Sequence, residues 1–185
     1  MMQEMYRLPA GPVAREENII RGDKYRITVL TAGLVRLEYS EEGIFEDALT
    51  QTVLNRDFPA VEYQVKETEE ELEIVTWRLR MTYNKKEFSP RGLRAQVVGH
   101  MGPWNREWHF GEEVRDLGGT ARTLDEVNGA CELGHGLISR EGYAILDDSA
   151  SLTLTREGWV APRRKGVKDI YFWGYGLDYL ECLKD

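Results

Sequence analysis

The chain has 185 residues, 42% hydrophobic and 30% charged, with a net charge of −8. That balance fits one folded domain, long enough to bury about 70% of its unfolded surface. The negative charge excludes a surface built to grip nucleic acid or an anionic membrane, since both need clustered Lys and Arg.

There are two cysteines, Cys131 and Cys182, too few for a disulfide framework, so reduced thiols are expected. The first twenty residues, MMQEMYRLPAGPVAREENII, lack the apolar stretch of a secretory signal. No run approaches the ~20 apolar residues of a membrane span. These readings together predict a cytoplasmic protein with no membrane partner.

In chain order, residues 1–22 read as an irregular lead-in punctuated by Pro9, Gly11, Pro12 and Gly22. Lys24 to Thr31 alternates strictly, with Tyr25, Ile27 and Val29 on one face. LVRLEYS follows, with Val35, Leu37 and Tyr39 on one face. The pair predicts a hairpin through Ala32-Gly33, with Gly33 supplying a positive φ. Glu41 to Pro59 reads as loop. Val61 to Tyr83 is the next β region. It turns at the acidic run Glu69–Glu71 and continues through Leu72, Ile74 and Thr76, then through Trp77, Leu79, Met81 and Tyr83 as a new strand or past a bulge.

Leu93 to Val98, Tyr143 to Leu146, Ser151 to Thr155 and Asp169 to Trp173 are further short strands. Leu177, Leu180 and Leu183 fall at helical spacing. Many short strands and almost no helix predict an all-β antiparallel sandwich with a short C-terminal helix, as a single domain over 1–185.

The most informative run is Asp116 to Ser149, DLGGTARTLDEVNGACELGHGLISREGYAILDDS. It is dense in turn-formers and polar side chains, and loops of this length usually carry function. The chain reaches Asp185 within what reads as the start of a helix, so the run is expected to form one wall of a site completed elsewhere.

No complete catalytic set emerges from its residues. Cys131 and His135 are four apart with no second ligand pair, so no metal is expected. Ser139 and Ser149 lie outside a nucleophile elbow. Gly118-Gly119-Thr120 lacks the Lys of a phosphate loop, and no other cofactor motif is present. Asp147 and Asp148 end a strand beside the glycine-rich run. Adjacent strand residues point to opposite faces, so these two are not an opposed catalytic pair. They read either as a turn-forming pair or as acceptors for sugar hydroxyls.

Trp104, Trp108 and Phe110 form one aromatic cluster, and Tyr171, Phe172, Trp173 and Tyr175 another. Either would serve as a sugar-stacking platform if exposed, but core is the commoner fate. Phe172 and Trp173 should straddle one strand. Arg163, Arg164 and Lys165 read as a solvated loop.

The run Asp116 to Ser149, followed by GWVAPR and DIYFWGYGLDYLECLKD, resembles the N-terminal domain of glycoside hydrolase family 31, which includes α-glucosidases and α-xylosidases. VRLEYSEEGIFEDALTQTVLNRDFP resembles that domain's early hairpin and following loop. The resemblance spans nearly the whole chain. It implies a galactose-mutarotase-like β-sandwich that precedes a (β/α)8 barrel expected after residue 185. The barrel of the family carries both catalytic aspartates, and its nucleophile motif is absent here, DEVN at Asp125 to Asn128 being only an echo. This chain is therefore expected to have no catalytic residue of its own.

The expected role is to pack on its own catalytic barrel and to supply Asp147 or Asp148 to an α-glucoside-type carbohydrate. An exposed barrel-facing apolar surface would also drive the separate domain to form a homo-oligomer. A freestanding carbohydrate-binding sandwich is the competing reading.

Overall fold

A computed structural model describes residues 10–98, 107–121, 123–155 and 157–185. Thirteen strands follow in chain order: β1 (Ile19–Arg21), β2 (Tyr25–Val29), β3 (Leu34–Ser40), β4 (Leu49–Thr50), β5 (Gln64–Glu67), β6 (Leu72–Val75), β7 (Leu79–Tyr83), β8 (Leu93–Val97), β9 (Glu107–His109), β10 (Tyr143–Asp147), β11 (Thr153–Leu154), β12 (Val160–Ala161) and β13 (Val167–Gly174). The helix α1 (Tyr179–Lys184) comes last. Every named strand pair is antiparallel. The chain is an all-β sandwich with a short C-terminal helix.

One five-stranded sheet runs β1-β2-β3-β13-β10, and a second runs β5-β6-β7-β8-β9. The main core lies between them. Tyr25, Ile27, Val35, Leu37, Ile170 and Phe172 come from the first sheet; Ile74, Met81, Tyr83, Leu93 and Trp108 come from the second. Tyr25 meets Tyr83 edge-on at 5.2 Å between centroids, and Trp108 meets Phe172 at 5.4 Å. The alternation read from the sequence is the alternation that fills this layer.

The first sheet is buried on its other face too. All seven residues of β3 and all five of β2 are buried. Leu34, Ala144, Tyr171 and Trp173 form a second apolar cluster there, joined by Tyr175 and by Cys182 of α1. The Cys182 thiol donates to the Leu137 carbonyl at 3.3 Å, and burial pushes its pKa up to about 11. Phe172 and Trp173 do straddle β13, one in each layer. A third, small sheet runs β12-β11-β4.

The hairpin β2–β3 forms as read, but Gly33 has a different task. Its φ is not positive. The loop is longer than two residues, and Thr31 Oγ1 accepts the Gly33 and Leu34 N–H groups at 3.2 and 3.0 Å. What excludes a side chain at Gly33 is the Tyr175 ring, which a Cβ would approach to 2.6 Å. β7 is a new strand, separated from β6 by a turn that Thr76 Oγ1 stabilises by accepting the Arg78 and Leu79 N–H groups. β5 begins only at Gln64 and is exposed along its length, as the edge strand of its sheet. Charges at Lys66 and Glu67 suit an edge that must not recruit another chain.

Candidate functional site

The run from Asp116 leaves the sandwich as an arm whose two legs pair. Asp116 bridges Ser139. The Leu117 N–H donates to the Ile138 carbonyl, and the Gly119 N–H to the Gly134 carbonyl, both at 2.7 Å. Glycine is required for this approach: a Cβ on Gly119 would lie 2.3 Å from the His135 carbonyl oxygen, and one on Gly136 would lie 2.5 Å from that of Gly118. Beyond the paired legs, Leu124 and Val127 are exposed.

A staple closes the arm at its base. The Asp116 carboxylate takes the Gly118 N–H on Oδ1 at 2.7 Å and His135 Nδ1 on Oδ2 at 2.9 Å. The bond to His135, then the N–H of Gly118, hold the Asp116 carboxyl below the usual carboxylate range. A carboxylate only accepts, so Nδ1 carries the proton of this bond and Nε2 is left free of it. No local sequence pattern links His135 to Asp116, which lies nineteen positions away in the chain. The near-mirrored glycines, 118-119 and 134-136, were the one local sign that the two legs meet. Asp116→Ala should speed limited proteolysis within 121–133 several-fold while leaving global stability within about 0.5 kcal/mol. Equal cleavage rates for the two proteins would rule out the staple.

Asp147 ends β10 and Asp148 follows it, and the two side chains meet different surroundings. Asp147 is exposed and accepts the Ser149 N–H at 2.9 Å, which shapes the turn. Asp148 is 0% exposed. Its Oδ1 accepts Thr50 Oγ1 at 3.1 Å and its Oδ2 accepts Arg163 Nη1 at 3.2 Å. The expectation that either aspartate could face a sugar is therefore corrected for Asp148: its carboxylate is sealed and bonded on both oxygens, while Asp147 stays open to solvent.

Asp148 belongs to a buried ionic chain on the outer face of the first sheet. Arg163 also binds Asp169, which receives Arg36 through Nε and Nη2 at 2.9 and 2.7 Å. Arg36 and Arg26 both reach Glu38 Oε1 at 2.9 Å, and Arg26 continues to Asp47 at 2.6 Å. Burial raises the Asp169 pKa, but hydrogen bonds and charge from Arg36 and Arg163 outweigh it and hold the group low. For Glu38 burial wins, and its pKa is raised. Arg163, expected in a solvated loop, has a side chain only 3% exposed. Three guanidiniums saturate Glu38, Asp148 and Asp169, so these acids serve as structural anchors and are poorly suited to exchange protons with a substrate.

The aromatic clusters are core. Trp108 is buried against Phe172, Phe110 packs on the same cluster, and Tyr171, Phe172, Trp173 and Tyr175 are all buried. Core, the commoner fate expected of both clusters, is where these residues lie; Trp104 lies outside the described residues. Among the described residues two other tryptophans are exposed. Trp77 has the Arg78 guanidinium 4.2 Å from its ring centroid, and Trp159 stands 74% exposed between β11 and β12.

Among the described residues no group of three or more His, Cys, Asp or Glu is placed to hold a metal ion. Cys131 is exposed and unbridged. His109 Nδ1 meets the Pro90 carbonyl at 2.9 Å, and His100 lies outside the described residues. No described helix is long and apolar enough to cross a membrane.

A cavity of about 610 Å³ opens on the outer face of the first sheet. Its walls come from the sheet itself, from residues 52–58, from the arm at 135–137 and from Lys184 and Asp185. The arm base and the end of α1 thus border one side of the molecule. On that side the outer face of α1 carries Leu180 at 82% exposure, with Leu177 and Leu183 also exposed. No protein-family model matches the sequence, and no curated protein matches it.

Proposed function

We propose that this chain is the non-catalytic, galactose-mutarotase-like sandwich of a retaining α-glycosidase of the α-glucosidase type, packing on a catalytic barrel and contributing one wall of its sugar pocket. The observation that carries this reading is the apolar side formed by α1 beside the arm base. Leu177, Leu180 and Leu183 face solvent there, while Cys182 ties the same helix to the sandwich. A helix held on one face and apolar on the other is built to be covered. The arm base borders the same cavity as the end of α1, and Asp147 is the carboxylate left open for a sugar hydroxyl. The buried acids are consumed by arginines, which supports placing both catalytic carboxylates on the barrel.

Trp159 favours a second reading, a freestanding carbohydrate-binding module that stacks a sugar on this ring. Two measurements separate them. The 185-residue chain should give no turnover of an aryl α-glucoside above buffer, and no saturable change in Trp fluorescence with maltose. Turnover would overturn the first reading. A saturable response lost in Trp159→Ala would establish the second. Under the first reading the open frame downstream of codon 185 encodes a (β/α)8 barrel.

A further inference from the structure

The geometry points to the 610 Å³ cavity as a binding site for a flat, neutral, mostly apolar ring system that carries a hydroxyl group, such as a phenol of two or three rings. Four observations carry it. The volume lies in the range of small-molecule sites, about 300–1,000 Å³. The wall is apolar: Val53, Phe58, Leu137 and Leu146 are its partly buried members, over a floor of the buried Tyr171 and Trp173 rings. An apolar ring system is shielded from water against such a lining.

Charge argues for a neutral occupant. Lys184 and Asp185 both line the cavity with opposite signs, and the Asp185 carboxylate is already bound by the Tyr175 hydroxyl.

The polar requirement comes from two side chains. His135 lines the cavity, and its bond to Asp116 through Nδ1 leaves Nε2 as the ring nitrogen free to meet a hydroxyl on the ligand. Trp173 is 6% exposed, and its indole N–H has no acceptor. A ligand that also offers an oxygen acceptor would give that donor a partner after a small shift of the ring. An Asp-oriented imidazole, an unmet indole donor and an apolar wall around one cavity are more than packing needs. This inference is independent of the glycosidase reading.

The test is a titration of the 185-residue chain with 7-hydroxyflavone, which has the rings, the hydroxyl and a carbonyl, and with 7-methoxyflavone, which lacks the O–H donor. Saturable quenching of Trp fluorescence is expected for the hydroxyl compound, with the methoxy compound about tenfold weaker, the scale of one hydrogen bond. His135→Ala should abolish that difference. Val53→Trp, which fills the cavity from a partly buried position, should abolish binding of both, with circular dichroism confirming the fold. Absence of saturation overturns the proposal. So does full binding to folded Val53→Trp, or a preference for the hydroxyl compound that survives in His135→Ala. The surface position of His135, with a side chain 93% exposed, keeps that variant folded and the test decisive.

Discussion

Replacing Asp169 by alanine is expected to lower the unfolding free energy by about 3–5 kcal/mol in urea titration. The carboxylate is fully buried and joins Arg36 to Arg163. Its removal takes from each guanidinium one of its two carboxylate partners and leaves buried N–H donors without an acceptor, and breaking a buried pair in this way is costly even where forming it gains little. The same replacement at Asp147, one strand end away and exposed, should cost at most about 0.5 kcal/mol.

The contribution of Asp169 also has a pH signature. Its folded pKa is depressed, so the stabilisation is fully present above the ordinary Asp value of about 3.9 and is lost as pH falls through the lower folded value. Glu38 has the opposite sign. Its raised pKa favours the fold below the ordinary Glu value and withdraws that support as pH rises. Asp169→Ala should therefore show a shallower loss of stability in acid than the parent chain. An unchanged acid limb, or a loss under 1 kcal/mol, would show that the ionic chain does not anchor this face.

Trp108→Ala is expected to cost about 3–5 kcal/mol, the range for deleting a large aromatic from a packed interior. Trp108 is 1% exposed, close to Phe110 and Phe172 between the two large sheets. For a domain of this size that loss lowers the melting temperature by roughly 10 °C. The experiment bears on function as well as stability. An exposed sugar platform at this position would lose ligand affinity on truncation and keep its melting temperature. A variant that melts with the parent would return Trp108 to the surface and reopen the platform reading.

The strands were legible because half-buried β structure writes itself into a period of two. Tyr25, Ile27 and Val29 paired against Val35, Leu37 and Tyr39 are plain in the chain and plain in the sheet. The helix at residues 179–184 was legible from three leucines, and the arm from its turn-formers. That Asp147 and Asp148 are not an opposed pair followed from strand geometry alone. What lay on each face of a strand did not. β2 and β3 look half-polar because Arg26, Arg36 and Glu38 alternate with the apolar residues, a pattern that normally marks a solvated side. Here that side is buried, and the charges neutralise one another across β2, β3, β13 and the loop segments that carry Asp47, Asp148 and Arg163. Arg36 beside Asp169, Thr50 beside Asp148 and Asp116 beside His135 are long-range pairings, and no local rule reports them.

By itself the sequence determined the fold class, the positions of most strands, the short final helix and the place of the polar glycine-rich arm, because each depends on spacing within a few residues. The tertiary structure decided which polar groups are buried and which aromatics are core. It turned Asp148 from a ligand candidate into an anchor and Arg163 from a loop cation into that anchor's partner. It also brought His135, Tyr171 and Trp173 around one cavity. The physical reason is common to all of these. Burial and charge pairing depend on which distant segments meet, and the desolvation cost of an ionised group is met only by a partner that the folded chain delivers.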